Sequence, residues 1–109
     1  MDNPNEPPKV RQLSVEGLQS LKQSGEPFVL LDVRTPDERR IATIPGDRVL
    51  DEAALRELEK DATIVLYCHH GGRSRSAAER LVRDGYTRVH NLAGGIDAWS
   101  TIDPTVPRY

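Results

Sequence analysis

The sequence predicts an α/β fold, a small parallel β-sheet flanked by helices on both faces, and three observations carry that prediction. Two apolar runs of strand length, residues 28–32 and 63–67, are continuous rather than alternating, as in strands buried on both sides. Stretches with apolar residues at helical spacing alternate with such runs, which is the order that right-handed crossover connections require. The third observation is size. A chain of 109 residues, 37% hydrophobic and 29% charged, can enclose one core between layers of secondary structure but not a second.

Residues 1–9 carry Pro4, Pro7 and Pro8 among polar side chains and are expected to form a flexible tail, with the domain running from 10 to 109. Ser14 is placed to cap a helix over 15–24, where Val15, Leu18 and Leu21 follow helical spacing and Gly25 supplies the stop. The strand at 28–32 comes next, between Pro27 and the Arg34, Thr35, Pro36 segment. Pro36 suits the first turn of a brief helix over 37–40. Ile44, Pro45 and Gly46 then turn the chain, and Val49 with Leu50 reads as a short strand. Over 52–60, Ala54, Leu55 and Leu58 line one face while Glu52, Arg56, Glu57 and Glu59 line the other, an amphipathic helix. After the strand at 63–67, a helix over 74–84 places Ala77, Ala78, Leu81 and Val82 on one stripe, and Gly85 followed by Tyr86 matches a Schellman ending. Residues 89–92 form a last strand, Gly94 and Gly95 a turn, and 96–99 the start of a closing helix.

Charge and apolar run length exclude several functions. With 15 basic against 17 acidic side chains and no block of like charges, the chain lacks the field needed to hold a polyphosphate backbone, so nucleic acid is not an expected partner. The longest apolar runs, 28–31 and 64–67, are four residues each, too short for a membrane span or an export signal. One cysteine, Cys68, allows no internal disulfide and fits a reducing, cytoplasmic compartment.

Ligands of parallel α/β sheets sit beyond the carboxyl ends of the strands, which directs attention to residues 32–34 and to Cys68. The loop Cys68, His69, His70, Gly71, Gly72, Arg73, Ser74 joins a strand to a helix. Adjacent glycines let the backbone turn tightly, so that successive N–H groups converge as an anion nest, and the helix behind adds the positive end of its dipole. A sulfur there also feels Arg73, and each of these groups favours thiolate over thiol. Cys68 is therefore expected to be ionised and nucleophilic near neutral pH. A lone cysteine after an apolar strand is ordinarily an inert core residue, and it is Gly71, Gly72 and Arg73 that reverse that preference here. No metal site is expected, because Cys68, His69 and His70 are consecutive, their side chains should diverge, and no second ligand pair stands at usable spacing. His90 reads as an ordinary strand residue and Trp99 as core packing.

The loop resembles the active-site loop of the rhodanese family, whose pattern is Cys-x-x-Gly-x-Arg followed by Ser or Thr. Two further stretches resemble that family: Leu30 to Arg34 with Glu38 and Ile44, Pro45, Gly46 as its leading motif, and Val89 to Trp99 as its closing motif. Together they span residues 13–99. The ending from Ile102 to Tyr109 is similar to tails of rhodanese domains joined to other sulfur-handling modules. The resemblance implies a sulfurtransferase without a cofactor, in which Cys68 accepts a sulfane sulfur as a persulfide from a small-molecule or protein donor. The sulfur then passes to a thiol, cyanide or protein acceptor. It further implies that the backbone of His69, His70, Gly71, Gly72 and Arg73 cradles the terminal sulfur, that Arg73 stabilises the loop and its anion, and that Ser74 is a helix cap or a weak donor to the sulfur. Asp32 and Arg34 are candidates for an ion pair that braces the loop.

The chain also departs from the family. Ala42 and Thr43 stand where Gly-His is common, so the edge at 41–50, read as hairpin-like, is expected to differ in shape. His69 follows the cysteine where good thiosulfate users often carry a basic residue, so thiosulfate is not the expected preferred donor, and both histidines should make sulfur uptake sensitive to pH near neutrality. A cysteine phosphatase or arsenate reductase is the enzyme alternative, but its loop needs one residue more between cysteine and arginine than the four found here. A non-catalytic interaction module is the other alternative, against which stands the retained cysteine.

Overall fold

The computed structural model describes residues 7–109. Most of the predicted tail, residues 1–6, lies outside the described residues, and residues 7–9 have no regular structure. The elements run β1 (Arg11–Leu13), α1 (Val15–Ser24), β2 (Val29–Asp32), α2 (Pro36–Ile41), β3 (Arg48–Val49), α3 (Glu52–Glu57), β4 (Thr63–Tyr67), α4 (Gly72–Arg83), β5 (Arg88–Leu92) and α5 (Gly95–Trp99). The strands form one sheet in the order β1-β5-β4-β2-β3, and every neighbouring pair is parallel. None of the described helices is long and apolar enough to cross a membrane.

Alternation along the central strands divides the apolar side chains between two cores. Val65 and Tyr67 of β4 face one side with Leu30, Leu92, Leu18 of α1 and Ile96 and Trp99 of α5. Ile64 and Leu66 face the other, with Leu31, Val89, Ala54 of α3 and Ala78 and Leu81 of α4. Burial on both faces explains why these strands read as continuous apolar runs. Leu18, Leu31 and Leu66 are wholly buried, each contributing about 1.5–3 kcal/mol of transfer free energy.

Ser14 caps α1 by accepting the Gly17 N–H, and a capping box pairs Thr35 with Glu38 at the start of α2. The Schellman ending of α4 is present: the Tyr86 N–H donates to Leu81 O and the Gly85 N–H to Val82 O, both at 3.1 Å. Four local expectations are corrected. The sequence reading did not anticipate β1, because Arg11 and Gln12 are polar; register with β5 and the Ala93 N–H donating to Leu13 O at 2.8 Å make it a strand. The edge at 41–50 is not a hairpin, since α2 carries the chain across and β3 pairs parallel to β2, one residue earlier than read. α3 ends at Glu57, as Leu58 turns extended (ψ 125°) and Lys60 instead lends its carbonyl to the Thr87 N–H and its ammonium to Asp84 O and the Tyr86 ring. α4 begins at Gly72 rather than Ser74.

At the carboxyl tip of β2 the polar core is densely paired. Asp32 and Arg34 are fully buried and joined at 2.9 Å, and Arg39 bridges Asp32 to Asp47 at 2.7 Å on each side. The Tyr67 hydroxyl donates to Asp47 at 2.6 Å and accepts the Ile44 N–H at 3.2 Å. Burial, followed by that bond to Asp47, raises the phenol far above its ordinary range. Removing Asp32 leaves the Arg34 guanidinium buried without a carboxylate, its remaining partners being neutral oxygens, while Arg39 keeps Asp47. Asp32→Ala should therefore lower the unfolding free energy by about 3–5 kcal/mol, read as a lower urea midpoint at an unchanged slope.

Candidate active site

Cys68 follows β4 directly, and its side chain is buried with the residue only 2% exposed. The connections leaving β4 and β2 run in opposite directions along the sheet, so this is a topological switch point. The loop is held from outside by α5. The Ile96 N–H donates to Cys68 O at 2.9 Å and the Asp97 N–H to His69 O at 3.0 Å. With those carbonyls turned outward, the following N–H groups face inward. Gly71 takes a left-handed conformation (φ 110°) as N-cap of α4 and offers the helix no side-chain cap. The sulfur fills that role, accepting the Gly71 N–H at 3.1 Å with the Arg73 and Ser74 N–H groups also directed to it.

Burial pushes the Cys68 thiol up. Opposing it are the Ser74 hydroxyl, when its proton faces the sulfur, and the main-chain N–H groups of Ser74, Gly71 and Arg73, and the balance falls below the ordinary thiol value. Ser74 is therefore not a helix cap; it lies inside the first turn of α4, 3.4 Å from the sulfur and 2.5 Å from Asn91 Oδ1.

Arg73 lies elsewhere than the sequence suggests. Its half-exposed guanidinium makes a two-pronged pair with Glu38, at 2.7 and 2.9 Å, and no hydrogen bond joins it to the sulfur among the described residues. Its main-chain N–H is the part directed at the sulfur. The Arg73 bond is the leading cause that holds the Glu38 carboxyl well below the usual range. Glu38 also accepts the Tyr109 hydroxyl at 2.9 Å, and that hydroxyl accepts Arg34 at 2.7 Å. Arg34 thus reaches the loop through Tyr109, which contacts both Glu38 and His69.

The two histidines do not diverge: their ring centroids lie 3.9 Å apart. His69 stacks on Tyr109 at 4.0 Å with a 6° interplanar angle, and its Nε2 lies 2.6 Å from Tyr109 O. His70 is exposed beside Asp97, 3.9 Å away. His69 and His70, expected to diverge, and Asp97 bring potential ligand atoms within 4.8 Å of one another, and Arg108 pairs with Asp97 at 2.9 Å. His90 is turned to Ile64 O, and Trp99 is buried with its indole N–H on Asp103, both as packing residues. Glu38, Asn91, Asp97 and Tyr109 lie within the stretches that carry the resemblance, but the sequence reading gave none of them a place in the site. Only Glu38 had a local signal, standing three residues after Thr35 as a capping box requires.

The family model described as Rhodanese-like domain matches residues 14–102. A sulfurtransferase of Allochromatium vinosum is 37% identical over 95 residues, covering 84% of this chain and 89% of the relative. The thiosulfate sulfurtransferase GlpE of Ectopseudomonas mendocina is 31% identical over 99 residues, covering 87% and 89%. Among solved structures, a rhodanese-like domain protein from Staphylococcus aureus superposes with a TM-score of 0.77 at 23% identity over 91% of this chain and 98% of that one, a likeness of fold.

Two glycines separate the loop's demands. A Cβ on Gly95 would sit inside 3.0 Å of the Cys68 and His69 carbonyls, whereas one on Gly72 meets nothing within 4 Å. Gly95→Ala should displace the loop, costing more than about 2 kcal/mol, while Gly72→Ala should leave stability unchanged or raised by up to about 1 kcal/mol in thermal unfolding. A thiol whose folded value is depressed contributes stability present above its unfolded value, near 8.5, and lost as pH falls through the folded value. Gly95→Ala should abolish that contribution and move the pH profile of iodoacetamide alkylation upward, toward an ordinary thiol.

Proposed function

This chain belongs to the rhodanese family, and from that premise we propose that it is a sulfurtransferase in which Cys68 carries a sulfane sulfur as a persulfide. The observation that carries the reading is the position of the Cys68 sulfur at the uncapped start of α4, 3.1 Å from the Gly71 N–H. In the first half-reaction the Cys68 thiolate attacks the outer sulfur of the donor. A new S–S bond forms, the bond from that sulfur to the rest of the donor breaks, and its electron pair leaves with the donor remnant, sulfite in the case of thiosulfate. In the second, a nucleophile such as a thiolate or cyanide attacks the outer sulfur, and the electron pair of the S–S bond returns to Cys68. The negative charge moves outward by one S–S bond, about 2.05 Å, and back.

The loop suits that short excursion. Its N–H groups are fixed before the charge arrives, so holding the persulfide requires little reorganisation. Four residues between Cys68 and Arg73 give a ring fitted to a single sulfur. Arg73 acts in this reading through Glu38, by locking the first turn of α4 against α2. The absence of a second cysteine removes the internal thiol that would discharge the persulfide as a disulfide.

Incubation with thiosulfate, a thiosulfonate or a cysteine desulfurase with cysteine should add the mass of one sulfur atom to the Cys68 peptide. Cyanide or dithiothreitol should remove it, and Cys68→Ser should never gain it. An unchanged mass with all three donors would overturn the reading and favour an interaction module.

A further inference from the structure

The Ser74 hydroxyl has one proton and faces three acceptors: Asn91 Oδ1 at 2.5 Å, Gly71 O at 3.3 Å and the Cys68 sulfur at 3.4 Å. Asn91 cannot turn to suit it. Its Nδ2 lies 3.2 Å from Gly71 O and 3.1 Å from Gln12 Oε1. A main-chain carbonyl only accepts, so the nitrogen of the amide must face Gly71 and the oxygen must face Ser74. The shortest of the three contacts is then the one that takes the proton, and Ser74 and Asn91 are both buried, where an unpaired amide oxygen is costly.

Resting on the persulfide reading above, we infer that Asn91 is a positioning residue that draws the Ser74 proton away from Cys68, leaving main-chain N–H groups as the donors to the sulfur. Ser74 Oγ then presents a lone pair to the thiol S–H. This arrangement serves sulfur transfer. A thiolate loses nucleophilicity as its conjugate acid becomes stronger, so withholding one donor favours the half-reaction in which Cys68 attacks the sulfur donor. The charged and titratable groups around the cluster are Arg73 on Glu38, His69 on Tyr109, His70 beside Asp97, and His90 on Ile64 O. They are common to every variant below and set the baseline without altering the differences.

The test is thiolate absorbance at 240 nm, titrated for the wild type, Ser74→Ala, Asn91→Leu and the double variant. Asn91→Leu leaves the Ser74 proton to Gly71 O, at 3.3 Å, and the sulfur, at 3.4 Å; the charged thiolate is the stronger acceptor, so the Cys68 pKa should fall by about one pH unit, the size of one hydrogen bond to a charged acceptor. Sulfur uptake per thiolate should slow about threefold, following the usual dependence of thiol nucleophilicity on basicity. Adding Ser74→Ala should reverse both effects. Ser74→Ala alone should leave the wild-type value unchanged or lower. A merely structural role for Asn91, anchoring the loop at Gly71, predicts the opposite sign, because a loosened nest raises the pKa.

A rise in Asn91→Leu, or a rise in Ser74→Ala alone, overturns the inference. The second of these decides the matter even if Asn91→Leu does not fold, since alanine is well accommodated within a helix. If the titrations behave as expected while no donor adds sulfur to Cys68, it is the sulfurtransferase reading that fails and the proton assignment that stands.

Discussion

The site depends on two hydrogen bonds that do not touch the sulfur. When the N–H groups of Ile96 and Asp97 take the carbonyls of Cys68 and His69, the peptide planes after β4 are rotated so that the next donors face inward. A backbone in this state has no freedom left to relax around an uncharged thiol. The orphan donors at the start of α4 point at the sulfur and lower the thiol value against the effect of burial. Gly95 is the condition for this approach, because any side chain there would occupy the space of the captured carbonyls.

A second layer fixes where α2 and the last residues lie relative to that loop. The cluster of Asp32, Arg34, Arg39, Asp47 and Tyr67 carries matched charges, with Asp32 and Arg34 buried at its centre and Arg39 partly exposed at its edge. Such clusters rarely add net stability over an apolar core, but they tolerate only one arrangement of their partners. The arrangement here points Arg34 at Tyr109 and leaves Glu38 to receive both Tyr109 and Arg73. Buried charge at the tip of β2 is thereby coupled to the first turn of α4 through one phenol and one carboxylate.

The mouth of the site is aromatic and basic rather than strongly cationic. His69 lies between His70 and Tyr109, and Arg108 is held on Asp97. The guanidinium nearest the cysteine in sequence is already neutralised by Glu38.

The amino-acid sequence by itself determined the alternation of strands and helices, both faces of the sheet, the Schellman ending of α4 and the loop that bears Cys68. These features are local: periodicity, caps and glycine placement act over a few residues and read directly along the chain. The same locality explains the misjudged pieces. β1 exists because β5 offers a partner, and α3 stops early because Lys60 is needed against Thr87 and Asp84. Tertiary structure alone decided which side chains meet. Arg73 finds Glu38 from 35 residues away, His69 finds the oxygen of Tyr109 from 40, and Ser74 finds Asn91 from 17. Such pairings depend on which strand tips the topology brings together, a property of the whole sheet that no stretch of sequence contains.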